Sequence, residues 1–452
     1  MRFALALTLV FLSVSHGSGG EPISICTFQC DATPPLGAPL CDAAVPPAKE
    51  IVDPLSMRGL VILGSGQPIV LVAVDWVGIG NGGYDTFRDA LAKAAHTSAD
   101  RVALHALHQH DAPGCDFEAE QLLAANSLSG AMFHVEFARA VMARAAKTLE
   151  ESLHSPQRVT HVGVGVGRVD RVASNRRVLG PDGKVRYVRY SASTIPEAVA
   201  APEGVIDPQV RVLSLWNGDR PLAVLSYYAT HPQSHYGEGG VSYDFVGMAR
   251  QLREQALPGV PHIHFNGASG NVAAGKYNDG APENRPALAG RLADGMKAAW
   301  ESTARTPLDA AHVEWRTKGV QLPLRDALEN EAPLVGLLEN TSAKVSDRVR
   351  AARDLVWARR TKAGHAIELS CLKLGSTYVV HMPGELFVEY QLTAAKLRPN
   401  NTVCMAAYGD YGAGYIGTEI AYSQGGYETS YVSRVAPTVE HVLMEGLQTL
   451  LK

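Results

Sequence analysis

Short apolar runs alternate along the chain with longer segments whose apolar residues recur every three to four positions. Residues 59–63 and 69–76 (IVLVAVDW) are the first such runs, and apolar stretches of this length predict buried strands. Residues 84–96 place Phe87, Leu91 and Ala94 or Ala95 on one side, the spacing of an amphipathic helix. Residues 101–107 (RVALHAL) are strand-like again. Strand, helix, strand predicts an α/β unit. The pattern continues with strands over 160–169, 210–216 and 222–228, the last two joined by the hairpin signal Asn217-Gly218-Asp219. His262–Asn266, residues 308–322 and the alternating run 367–382 add further strands. Helices are predicted over 133–151, 246–256, 286–302, 386–397 and 436–451. Residues 324–361 have helical composition broken by Pro333, fitting either a lid or simple packing. Residues 31–45 form a turn-rich lead-in. No internal repeat or low-complexity tether stands out. The expectation is a single large mixed α/β domain over 21–452, with β-sheets flanked by helices.

Composition adds little to that picture. Of 452 residues, 46% are hydrophobic and 19% charged, enough apolar material for a large core. The net charge of −4 gives no electrostatic case for nucleic acid. The N-terminus changes more. Met1-Arg2, an apolar run from Phe3 to Val14, and then Ser15-His16-Gly17-Ser18-Gly19-Gly20 predict a secretory signal peptide over 1–20. A secreted or periplasmic location follows as an expectation. The run is short for a membrane span, and no later stretch reaches the roughly 18 apolar residues one needs. The mature chain is therefore expected to be soluble, without a transmembrane segment. Six cysteines, an even number, permit disulfides in an exported chain. Cys26, Cys30 and Cys41 are close enough in sequence for one bridge to tie down the mature N-terminus.

Candidate chemistry gathers where apolar runs end. Leu107-His108-Gln109-His110-Asp111-Ala112-Pro113-Gly114 leaves a strand, with two histidines sharing one face. One can ligate metal while the other moves protons beside it. His105, one step earlier, is expected to pack in the core. Tyr228-Ala229-Thr230-His231-Pro232 leaves another strand. Asp244, downstream, fits either a helix N-cap or a partner for a ligating histidine. His264-Phe265-Asn266-Gly267-Ala268-Ser269-Gly270-Asn271 runs from a strand into a Gly-rich loop without phosphate-loop spacing. Met382-Pro383-Gly384-Glu385 turns from strand to helix and presents a carboxylate, a hard anionic ligand for zinc. Six tyrosines between Tyr408 and Tyr431, interleaved with glycines, suit a pocket wall and a phenol donor to a developing oxyanion.

In this order the motifs resemble those of the neutral (non-lysosomal) ceramidases, exported zinc amidases that cleave the N-acyl bond of sphingolipids. The resemblance runs from Asp31-Ala32-Thr33-Pro34-Pro35-Leu36-Gly37 to about Ser430. The family's THTHSGPGG is similar to LHQHDAPG, which implies His108 as a zinc ligand and His110 as its catalytic neighbour. The next ligand of the family is similar to His231. Pro383-Gly384-Glu385 resembles its Pro-Gly-Glu, implying Glu385 as the carboxylate ligand. The run from Gly414-Tyr415 to Tyr427-Glu428 follows its tyrosine pattern, implying Tyr415 as a ligand and Tyr427 as the contact to the reacting carbonyl. Asn175-Arg176 resembles its substrate clamp, with Arg171 and Arg177 nearby.

The sequence also departs from the family. Gly270-Asn271-Val272-Ala273-Ala274 stands where the family has a serine-bearing loop, and Ala273 takes the serine's place. Asp111 replaces a serine after the second histidine. The C-terminal immunoglobulin-like domain is expected to be absent. The implied activity is hydrolysis of an amide in a small-molecule or lipid-like acyl substrate by zinc-activated water. His110 would carry the proton, and Tyr427 and Arg176 would face the oxyanion. A metal-dependent esterase or deacylase on a non-lipid substrate and a non-catalytic exported binding protein are the alternatives.

Overall fold

The computed structural model describes residues 22–452, and the expected signal peptide lies outside the described residues. Among them, the apolar runs sort into three principal sheets. The first has the order Val102–Ala106, Ile69–Val74, Ser56–Leu63, Ile23–Asp31, Gln157–Val159. The second has the order His262–Asn266, Arg220–Tyr228, Gln209–Asn217, His161–Arg168, Ala304–Pro307. The third runs Thr402–Ala406, Thr377–His381, Ile367–Leu374, Val313–Val320. In every sheet the first two strands are parallel and the remaining neighbours antiparallel.

The same plan therefore occurs three times in succession. A strand is followed by a hairpin, then by a helix (Asn81–Ala94, Asp244–Ala256 or Val388–Leu397) that crosses over to the parallel strand. A second helix (Val135–Ser152, Asn284–Glu301 or Val439–Leu450) then packs on the opening strand of its copy. The sequence concealed this repeat because the plan needs only apolar runs at suitable intervals. Insertions of different kinds also break the period. Residues 169–208 form an excursion in the second copy, and the helices Ala332–Glu339 and Val345–Lys362 interrupt the third.

Alternate residues of each strand face opposite cores. Leu60, Leu71, Leu213, Leu225, Leu372 and Val379, drawn from all three sheets, meet in one shared cluster. Their neighbours Val61, Val70, Val212, Val224, Cys371 and Val380 face the helices of their own sheet. Burial on both faces is why these strands read as near-continuous apolar runs.

The mixed α/β class is as expected, and the structure adds several elements to those predicted. Ile23–Asp31, ahead of the turn-rich segment, is an interior strand of the first sheet. Its polar positions Ser24, Thr27 and Gln29 broke up the apolar pattern. Phe117–Ala125 is a helix capped by Asp116, and Thr402–Ala406 is the parallel strand of the third sheet. All six cysteines are free, so the bridge near the N-terminus does not form; Cys26 and Cys30 are buried along the opening strand. Among the described residues no helix is long and apolar enough to cross a membrane.

Candidate metal centre

The three parallel strands end side by side. The Ala106 amide donates to the Tyr408 carbonyl (3.0 Å), and the Ala407 amide donates to the Asn266 carbonyl (2.9 Å). Asn266 Nδ2 closes the ring on the Leu107 carbonyl (3.3 Å). Beyond this ring, each copy pins one residue by its amide to the loop leaving the parallel strand. Val77 donates to Pro113 (3.0 Å), His231 to Val272 (3.0 Å) and Glu385 to Gly414 (2.9 Å). The second and third copies supply side chains at this position. The first supplies the Val77 carbonyl, which receives Nδ1 of His108 (2.7 Å).

His108 lies two residues past its strand at φ +73°, and Tyr408 holds the matching place in the third copy at φ +60°. Left-handed backbone is uncommon away from glycine. Here it aims both rings inward, where they stack at 4.8 Å. His231 donates Nδ1 to the Ser269 carbonyl (2.6 Å). Both histidines thus spend Nδ1 on a backbone carbonyl and turn Nε2 to the centre, the arrangement that orients metal-binding imidazoles. Glu385 Oε2 sits 3.2 Å from His108 Nε2 and 3.1 Å from His231 Nε2.

These atoms fit a divalent ion. With Nδ1 protonated, neutral imidazoles point Nε2 lone pairs at a carboxylate, an arrangement that a cation between them relieves. Burial holds the His231 pKa down at about 4. His108 Nε2 has no hydrogen-bond partner. The three donor atoms lie within 4.8 Å of one another. Their closest approaches match the roughly 3.3 Å between two ligands held about 2.0–2.1 Å from a tetrahedral ion. Tyr415 Oη, 3.3 Å from His231 Nε2, stands at the same spacing. Its backbone pairs directly with Glu385 in a two-residue parallel ladder.

Around these four the structure places the other expected residues. Arg176 NH1 donates to Tyr415 Oη (2.9 Å), and its guanidinium lies 5.5–5.7 Å from the rings of Tyr190, Tyr415 and Tyr427. Tyr427 meets Tyr415 edge-on at 5.7 Å. The half-buried His110 lies 5.2 Å from the His108 ring and 4.7 Å from Tyr236. Burial, reinforced by His108, holds its pKa well below the usual histidine value. Asn175 does not join Arg176, because its side chain turns away to the Val205 carbonyl (2.9 Å). Glu385 lies in the short strand before the helix rather than in the helix itself. His105 packs in the core as expected. Asp244 binds the Ser234 amide (2.9 Å) and hydroxyl (2.6 Å), steadying the loop that carries His231. Asp111 accepts from the Gly237 amide (2.9 Å), next to the tyrosine that covers His110.

Three contributors were not singled out in the sequence. Tyr411 donates to Glu385 Oε1 (2.9 Å), leaving Oε2 to the centre. Glu428, fully buried, lies 3.2 Å from both Arg176 and Arg177. Ser269 lends only its carbonyl to His231. The tyrosine-rich stretch was a signal for Tyr411, while the other two act through contacts that spacing does not encode. The loop with Ala273 works through its backbone as well. The Val272 carbonyl holds His231, and the Asn271 carbonyl accepts from the Arg176 amide (2.7 Å).

Gly270 explains the glycine in that loop. A Cβ there would fall 2.2 Å from the Glu385 carbonyl oxygen and 2.9 Å from its carbon. Backbone would have to move, so Gly270→Ala is expected to weaken divalent-ion affinity about 10–100-fold, as loss of a ligand-orienting contact does. Competition with a chelating indicator measures this, and unchanged affinity would count against the placement of Glu385.

A buried His-His-Glu cluster at the meeting of three sheets thus defines an α/β protein with a candidate metal centre. Its architecture is similar in fold to that of solved ceramidases. A ceramidase complexed with C2 superposes with a TM-score of 0.69 at 16% identity, covering 95% of this chain and 75% of that one. The neutral ceramidase from Pseudomonas aeruginosa gives 0.68 at 16% identity, covering 96% and 75%. At this identity the likeness is one of fold. No protein-family model and no curated sequence matches the chain.

Proposed function

We propose that this chain is an exported zinc-dependent hydrolase that cleaves an N-acyl amide bond. The observation that carries the reading is the convergence of His108 Nε2, His231 Nε2 and Glu385 Oε2 on one point beside His110. The ceramidase fold and the signal-peptide pattern support it. His108, His231, Glu385 and Tyr415 would hold the zinc, which supplies Lewis acidity and lowers the pKa of a water toward neutrality. His110, whose pKa burial holds well below the usual histidine value, would accept a proton from the attacking water as that water's oxygen joins the acyl carbon. Arg176 and the Tyr427 hydroxyl face the oxygen that gains charge. His110 then returns the proton to the nitrogen as the C–N bond breaks, releasing a carboxylic acid and an amine. No hydroxyl at position 273 is needed, because water is the nucleophile. Glu428 holds Arg176 in place, and Tyr411 holds Glu385.

His110→Ala tests the division of labour. The purified variant is expected to keep about one zinc per chain and to lose about 10²–10⁴ in kcat on an N-acyl substrate. Loss of zinc together with turnover would make His110 a ligand. Wild-type protein that holds zinc but turns over no amide or ester would leave the binding-protein reading ahead.

A further inference from the structure

The cavity above the metal centre has a volume of 440 Å³. Its floor is the centre itself. Its outer wall comes from three places: the turn around Asp42, the first turns of helix Val345–Lys362, and the segment from Tyr427 to Arg434.

The chemistry of this wall selects among ligand classes. Three ion pairs surround the cavity: Asp42 with Arg353 (2.6 Å), Asp347 with Arg350 (3.1 Å) and Asp354 with Arg434 (2.6 Å). Every guanidinium has its own carboxylate, so no uncompensated charge awaits an ionic ligand. The aliphatic contribution is limited to Ala44, Val45, Val349 and Val432, scattered among the ion pairs, and forms no continuous channel for a long acyl or alkyl chain. What the wall offers is a dense set of paired donors and acceptors. Flat aromatic faces stand at the rim. Tyr431 is 56% exposed with Arg350 4.8 Å above its ring, and Tyr236 is 38% exposed over His110. Neutral hydroxyls match such donors and acceptors, and the C–H faces of a saturated ring match exposed tyrosines.

We propose that the amine half of the substrate is neutral and polyhydroxylated, so that the site takes an N-acyl amino sugar. This rests on the amide-hydrolase reading above. The acyl group enters first, toward His110 and Tyr427. The sugar ring lies against Tyr431, with its hydroxyls toward Asp347, Arg350 and Arg353.

The test compares kcat/KM of the zinc-loaded protein on three N-acetyl amides. They are N-acetylglucosamine, N-cyclohexylacetamide (the same ring size without hydroxyls) and N-acetylsphingosine in detergent micelles. The amino sugar is expected to exceed the cyclohexyl amide by at least about a hundredfold, since a site built around hydroxyls rejects an analogue lacking them. It is also expected to exceed the sphingoid amide. Asp347→Ala and Tyr431→Ala should each raise KM for the amino sugar about tenfold, which is about 1.4 kcal/mol, and Tyr431→Trp should restore it. Preference for the sphingoid amide, or equal rates on the two ring compounds, overturns this inference and leaves the hydrolase reading standing. No hydrolysis of any of the three overturns both.

Discussion

Replacing His108 or His231 with alanine is expected to strip the centre of its ion and remove essentially all turnover. Each residue presents a single Nε2 donor, and each commits Nδ1 to a backbone carbonyl. Losing one donor should cost more than the roughly 10–100-fold in affinity lost when only an orienting partner is removed. In either variant, Glu385 Oε2 would face one imidazole instead of two. Metal analysis of wild-type protein purified without chelators should give about one zinc per chain, and each variant should give close to none. A second readout is thermal. An ion that binds only the folded chain stabilises it by about 2.7 kcal/mol at a hundred times its dissociation constant. Added zinc should therefore raise the wild-type midpoint and leave both variants unmoved. Folded variants that still bind one zinc would move the ligand set elsewhere.

The polar residues of this centre were legible because each follows an apolar run. His108 trails Val102–Ala106, His231 trails Arg220–Tyr228, and Glu385 trails Thr377–His381. A rigid strand ending at a shared rim is what makes such positions useful. The threefold plan explains their placement: His231 and Glu385 follow the hairpin strands of the second and third copies, and His108 follows the parallel strand of the first. That plan was not legible, because its equivalences are of backbone. Val77, His231 and Glu385 occupy one structural position with three unlike side chains. The same holds for His108 and Tyr408, which share a left-handed backbone and nothing in sequence. Tyr411 and Glu428 were hidden for a different reason. Their partners, Glu385 and Arg176, lie 26 and 252 residues away, and no local pattern marks a contact across the fold. The helical stretch around Pro333 fitted either a lid or simple packing; its helix Val345–Lys362 sends Val349, Ala352 and Leu355 into the core and Arg350 and Arg353 to the cavity.

Cutting the Asp75–Arg250 pair is expected to be the most destabilising single change outside the centre. Asp75 closes the hairpin of the first copy, and Arg250 comes from the crossover helix of the second. The contact is bidentate, at 2.8 and 2.9 Å, and both side chains are almost fully buried. Ser56 donates its amide (2.9 Å) and hydroxyl (2.8 Å) to the same carboxylate, and Gln109, lying between His108 and His110, reaches it at 3.3 Å. Asp75→Ala would leave a buried guanidinium without its counter-charge, a change that typically costs about 3–5 kcal/mol. That is a large share of the about 5–15 kcal/mol that keeps a domain folded. Urea unfolding of the metal-free protein should show the loss without interference from ion binding. The pH dependence has a definite sign. Burial opposes the Asp75 charge, the Arg250 guanidinium outweighs it, and the carboxyl pKa lies below its ordinary value. The pair's contribution is therefore complete above the unfolded carboxyl pKa of about 3.9, and it fades as pH falls through the lower folded value. Asp75→Ala should flatten that acid limb as well as lower stability at pH 7. The double replacement Asp75→Leu with Arg250→Met separates two costs, since it removes both charges while keeping the branched and the linear side-chain shapes. It should recover most of the lost stability, because the dominant cost is the stranded charge rather than the missing contact. A double variant as unstable as Asp75→Ala would instead place the cost in the hydrogen bonds from Ser56 and Gln109. The pair would then serve mainly to hold the backbone on which His108 and His110 stand.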